Sequence, residues 1–457
     1  MTNFTREDFL LSNEFAELLY NNYAAKLPII DTLCRIPAEN IAKNVGYSNI
    51  SELWFSADNY KCRAMRAAGI DEKYITGNAS DYEKFREYCR IMPALIGNPA
   101  YLLSHLELRR YFDCALVINE KNCDDIWKLT AEKLSGGDMG TRSFIEKSNC
   151  ALLCTAEDPA DSLEFHKQIA DNESFSTVVL PAFCPDRGLN IGEAGIFSYI
   201  ERLGRANGVE ITDLKSLVSA YEISIERFAS QGCRTAVHDL GNFIAFVKPN
   251  EYQADLIFKK ALASDGKDIT IEELMLFKSE MMYLLGKKYK ALGWVMQLHF
   301  DRFEKSKREE PKFYELERLV DYLVLNEAMP KTVIYSALSS ACEKVSMLID
   351  SLRKANDSAT VIINGGVSGL NYNVNAIKSR ISVLANTGAM GRYLGVFTDS
   401  ESVVSFSGHE YFRRILCDKI SSWAMEGGYP IEFDELPQLI FDICYNNAKK
   451  FFGFELN

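Results

Sequence analysis

Residues 294–300 read WVMQLHF and residues 332–337 read TVIYSA, and whether these stretches are helix or strand decides the fold. Each is a near-continuous apolar run, too short for a helix and rich in β-branched or aromatic residues. Such runs lack the in–out alternation of a half-exposed sheet, so they read as parallel strands buried on both faces. Outward from them the same signature recurs at 28–33 (PIIDTL), 150–155 (CALLCT), 177–183 (TVVLPAF), 233–238 (CRTAVH), 360–364 (TVIIN) and 393–398 (YLGVFT). Segments of helical period lie between them. Eight alternating units predict an α/β fold, a (β/α)8 TIM barrel.

Polar residues gather where these runs end: Asp31 and Arg35, Glu157 and Asp158, Asp186, His238 and Asp239, His299 and Asp301, Asn364, and Asp399. The carboxyl ends of barrel strands are where such folds keep their chemistry. The spacing is uneven once, between the first run and the second. There the chain reads as helices at 39–44, 59–68, 81–89 and 102–112, broken at Gly69, at Gly97-Asn98-Pro99 and at Gly136-Gly137. The predicted organisation is an N-terminal helix with strand one over 1–37, a mainly helical insertion over the barrel mouth at 38–148, and the remainder of the barrel over 149–457. A smaller insertion is expected at 188–230, between strands three and four.

The bulk properties exclude several classes. The chain has 457 residues, 47% of them hydrophobic, with 51 Lys+Arg against 63 Asp+Glu and a net charge of −12. That is the composition of a globular protein, without the basic footprint of a nucleic-acid binder. No charge-free apolar run of about 18 residues is present, so no membrane span is expected. Twelve cysteines lie singly with no CxxC pair, which points to reduced thiols and a cytoplasmic setting.

Several stretches share a template. They are EDFLL at 7–11, PIID at 28–31, YK at 60–61, RAMR at 63–66, ITG at 75–77, GNP at 97–99, HLELRRYF at 105–112, WVMQLH at 294–299, TDS at 398–400, HEYFRRILC at 409–417 and DICYNNA at 442–448. In this order and over almost the whole chain, they resemble the uronate (glucuronate) isomerase family of the amidohydrolase superfamily. The resemblance implies aldose–ketose isomerisation of hexuronates, D-glucuronate to D-fructuronate or D-galacturonate to D-tagaturonate. A proton moves between C2 and C1 through an enediol, which needs a base, an acid near the carbonyl oxygen and a counter-charge for the oxyanion. It assigns Asp399 and Tyr60 to proton transfer, and it turns His299, Asn59 and Arg35 toward substrate. A small-molecule sugar acid is the implied partner, and a homo-oligomer the implied assembly.

This sequence departs from the family pattern at the mouth. Leu33 and Arg35 stand where the family has the His-x-His pair that holds a divalent metal. Asn59 replaces a histidine, and Cys184, Glu401 and Gly408 replace arginines. Glu304 lies near a further missing arginine, and Ser368-Gly369 replace paired tryptophans. An aliphatic chain donates nothing to a metal and a guanidinium repels one, so His299 and Asp399 remain only as vestigial ligands. No cofactor is expected, and zinc would enter only if this reading of Leu33 and Arg35 were wrong. The implied isomerase is therefore impaired or metal-independent; the alternative is a catalytically silent or substrate-shifted sugar-acid-binding barrel. Strand parity puts residues 31, 33 and 35 on one side, from which Arg35 could reach Asp399.

Weaker signals remain. His105 with Glu107 and His409 with Glu410 look like dyads, although helical charge pairs also explain them. Residues 365–369 (GGVSG) could cradle a phosphate. Cys34, Cys154 and Cys184 sit near strand ends as conceivable nucleophiles.

Overall fold

The computed structural model describes residues 7–456 except 57–58, 243–244, 301–312, 337–338, 356–361, 368–372, 429 and 431–433. Seven strands form: β1 (Ile29–Cys34), β2 (Cys150–Glu157), β3 (Val178–Phe183), β4 (Thr235–Asp239), β5 (Val295–Phe300), β6 (Lys331–Ser336) and β7 (Ile362–Val367). They make one parallel sheet in chain order. Every residue of β1 and of β5 is buried, as strands covered on both faces require.

The eighth expected run does not become a strand among the described residues. Residues 393–400 lie beside β1, with the Asp399 amide donating to Leu33 O (3.0 Å) and the Arg35 amide to Ser400 O (2.9 Å). Two left-handed residues interrupt any regular ladder, Gly395 (φ 72°) and Asp399 (φ 45°). Gly395 also packs so closely that a Cβ there would sit 2.9 Å from Ile443 O, which excludes any side chain.

The sheet is curled. β1 and β5 would stand about 19 Å apart in a flat sheet, yet Gln297 Nε2 of β5 donates to Thr32 O of β1 at 3.0 Å. Ile30, Leu33, Val237, Val295, Val333, Tyr335 and Phe397 fill the interior. Phe452 and Phe454 join them from the C-terminal segment. That segment sits where strands begin, since Lys331, the first residue of β6, reaches Phe451 O (3.4 Å).

Between β1 and β2 the chain is helical, including Asn59–Ala67, Asp81–Ile91, Pro99–Phe112, Cys123–Ser135 and Thr141–Lys147. The starts follow capping rules: Ser80 and Glu83 form a capping box, and Asn98 caps a helix that opens on Pro99. The apolar faces of these helices share one core with Ile29, Cys34, Leu153 and Val179, so this helical region packs against β1–β3. The 188–230 region contributes Ile196–Asn207 and Leu214–Ser230. Among the described residues, no helix is long and apolar enough to cross a membrane.

Candidate functional site

β1 delivers Arg35 to the carboxyl end of the sheet, and the left-handed turn after the 393–398 run delivers Asp399 to the same place. The two meet: Arg35 Nε donates to Asp399 Oδ1 at 2.6 Å. Asp399 is 2% exposed and Arg35 35%, so the carboxylate is enclosed while the guanidinium opens to solvent. Burial favours the neutral guanidine, but Asp399, Cys184 and Asp239 outweigh it and raise the Arg35 pKa above its ordinary value. The mouth therefore holds a permanent cation.

How Asp399 is held follows from Asp31. β1 carries one extra residue against β2 between Asp31 and Cys34, a β-bulge that breaks the alternation of faces. Ile30 and Leu33 both join the interior, whereas Asp31 bonds His409 Nε2 (3.3 Å) on the helix Ser407–Met425 and accepts from the Thr398 amide (3.0 Å). The expected common side for residues 31, 33 and 35 thus fails at Asp31. Its carboxylate instead ties the strand to the residue that precedes Asp399.

His299 is 2% exposed, with its ring 5.1 Å from that of Tyr335 and 5.6 Å, edge-on, from that of Phe397. It sits in an aromatic cluster of the interior. Tyr60, on Asn59–Ala67, is half-buried with the Arg63 guanidinium 5.7 Å over its ring, and it adds to the upward push that burial gives the Tyr411 phenol. Asn59 begins the same helix, and its side chain lies outside the described residues. So do Glu304 and Ser368-Gly369. Glu401 is exposed.

The thiols are not poised for attack. Burial raises the pKa of Cys34, Cys154 and Cys184, and in Cys184 it does so against the opposing charge of Arg35. Gly365 and Gly366 belong to β7 rather than to a loop. A Cβ on Gly365 would fall 2.2 Å from the Tyr335 ring, so that glycine admits a close-packed tyrosine and not a phosphate. His105 donates from Nδ1 to Tyr101 O (2.6 Å) and accepts at Nε2 from the Ile118 amide (2.8 Å). Burial lowers its pKa to about 4, and it serves as a neutral pin. Glu107 binds Lys61, and Glu410 binds Arg110 and Arg414, so both carboxylates are engaged by cations.

One pairing at the strand ends was missed. His238 of β4 contacts Asp186 Oδ1 through Nδ1 at 2.8 Å, while its buried Nε2 has no hydrogen-bond partner among the described residues. Both residues are visible in sequence only as polar strand ends.

Among the described residues, the donors at this mouth do not make up a divalent-ion site. Leu33 is sealed in the interior, Arg35 occupies Asp399 Oδ1, and no group of three metal-ligating side chains occurs among the described residues.

A curled parallel sheet with helices between its strands and charged groups at the strands' carboxyl ends defines an α/β protein. More specifically, the chain belongs to the glucuronate isomerase family, whose model matches residues 1–452. The uronate isomerase of Caldanaerobacter subterraneus subsp. tengcongensis is 39% identical over 469 residues, covering 99% of this chain and 100% of that protein. That of Lachnoclostridium phytofermentans is likewise 39% identical, over 472 residues, covering 99% of this chain and 100% of its own. The crystal structure of uronate isomerase from Thermotoga maritima superposes with a TM-score of 0.89 at 28% identity, covering 98% of this chain and 99% of that one. Glucuronate isomerase from Caulobacter crescentus gives 0.87 at 18% identity, covering 99% and 97%, a likeness that speaks to the fold alone.

Proposed function

We propose that this chain binds hexuronates of the D-glucuronate and D-galacturonate class at the strand-end mouth and interconverts aldose and ketose without a divalent metal, at low turnover. The observation that carries the reading is the 2.6 Å contact of Arg35 with Asp399. A fixed guanidinium stands where the resemblance calls for an imidazole on a metal, and it supplies positive charge for the enediolate oxygens. Asp399 then carries the proton between C2 and C1, Tyr60 exchanges the oxygen-bound proton, and His299 and Asn59 orient the sugar. Low turnover follows from Cys184, Glu401 and Gly408, which supply no guanidinium for the substrate carboxylate. In the same proposal the 393–400 segment is the eighth stave of a closed barrel, and the protein works as a cytoplasmic homo-oligomer. No disulfide joins any of the twelve cysteines among the described residues, which supports a reducing compartment.

Proton NMR of D-glucuronate and D-galacturonate with the purified chain in deuterium oxide tests this. Conversion to D-fructuronate or D-tagaturonate with deuterium entering the sugar is expected. Line broadening without conversion favours a silent sugar-acid binder, the reading to which the lost guanidinium positions point. No interaction with either sugar contradicts both.

A further inference from the structure

We propose that a cavity of about 390 Å³, at the opposite end of the strands from Arg35 and Asp399, binds a small organic anion bearing a carboxylate or phosphate group. It lies beside Ile29, the first residue of β1, and Asn149, the residue before β2, next to the first turns of Ser407–Met425. Its volume is within the range of pockets that take sugar-sized molecules, about 300–1,000 Å³. Four cations line it, Arg110, Lys147, Arg413 and Arg414, against two carboxylates, Glu7 and Glu410. That is a surplus of two positive charges in a chain whose net charge is −12.

The pairing within the lining does not absorb the surplus. Glu410 is already shared, gripped by Arg110 through both oxygens at 2.6 Å and by Arg414 at 2.9 Å. Arg413 is 5% exposed and donates to Leu27 O (2.7 Å) and Pro28 O (2.8 Å), yet no carboxylate lies within ion-pair distance of it among the described residues. Carbonyl dipoles satisfy its hydrogen bonds without cancelling its charge, and a buried charge without a counter-ion is costly. Lys147 is exposed at the end of its helix. Asp113, which senses the Lys147 charge, is taken by Lys133 at 2.6 Å. A bound anion would give Arg413 and Lys147 the counter-charge that the protein withholds. A neutral sugar or a cation would gain nothing there.

Calorimetric titration of the full chain with inorganic phosphate, and with D-glucuronate in the Arg35→Gln background, tests the site. One saturable site per chain is expected, weakened about tenfold or more by Lys147→Glu, kept by Lys147→Arg and indifferent to Arg35→Gln. Phosphate alone binding marks a phosphorylated ligand, and D-glucuronate competing with phosphate marks a sugar acid; each supports the proposal. It is overturned if neither probe saturates, if Lys147→Glu leaves binding unchanged, or if Arg35→Gln abolishes phosphate binding, which would place the anion at the mouth.

Discussion

Two ion pairs in this molecule differ in one respect that separates scaffold from site. Lys61 and Glu107, in the helical insertion, are 2% and 3% exposed; the ammonium lies 3.1 and 3.0 Å from the two carboxylate oxygens and 5.2 Å over the Trp54 ring. Arg35 and Asp399 make one contact of 2.6 Å, with the guanidinium a third exposed. The first pair is closed on every side and can meet no ligand, so its charge is committed to holding Asn59–Ala67 against Pro99–Phe112. The second keeps one partner in reach of solvent, so its charge can be shared with a substrate oxygen.

The largest effect should come from breaking the closed pair. Glu107→Ala strips Lys61 of its carboxylate and is expected to cost about 3–5 kcal/mol in urea unfolding, whereas Lys61→Met with Glu107→Leu restores most of the loss. A single-variant cost below about 1 kcal/mol would mean that the pair is not sealed as described. Next, Arg35→Gln removes the cation at the mouth and should lower the rate of hexuronate isomerisation by about 10²–10³, with Arg35→Lys retaining more of it. An unchanged rate in Arg35→Gln would detach the open pair from catalysis.

A third test uses buried groups that are neither ion pair. Burial, reinforced by Asp161 and Asp158, pushes the Glu157 pKa up to about 7 from 4.5. The folded state therefore holds that proton more tightly, and its stabilisation is full below about 4.5 and lost as pH rises through about 7. His166, 3.7 Å away, is pushed by burial to about 4 from 6.5, so its contribution has the opposite slope, present above about 6.5 and lost as pH falls through about 4. Glu157→Gln should leave the histidine slope alone, so that stability rises between about pH 4.5 and 7 by on the order of 2 kcal/mol more than in the parent. Thermal melts across that window check it, and parallel pH profiles would contradict it. The smallest effect is the surface control. Lys133→Ala breaks the pair with Asp113, a carboxylate 86% exposed, and should change stability by about 1 kcal/mol or less.

Most of the sheet was legible because strands buried on both faces leave unbroken apolar runs, and seven of the eight runs form strands within a few residues of their expected limits. The eighth run, 393–398, takes no strand among the described residues, and apolarity gives no signal of the left-handed turns at Gly395 and Asp399 that interrupt a ladder there. The approach of Arg35 to Asp399 could be anticipated from strand parity, although parity then failed four residues earlier at Asp31, where the bulge shifts the face. Bulges leave no composition signal in a wholly buried strand. The Asp186–His238 contact joins residues 52 positions apart, and only the order of strands in the sheet makes them neighbours. Gly365 resembled part of a loop in sequence because its close neighbour, the Tyr335 ring, lies on another strand.

The rate of D-fructuronate formation by chelator-treated protein, measured before and after adding zinc and paired with metal analysis, bears most directly on the proposal that this family member works on a guanidinium instead of a metal. The account predicts a slow rate that zinc changes by less than about twofold, with no stoichiometric zinc retained. A rate that rises about tenfold or more as one zinc binds per chain would contradict it.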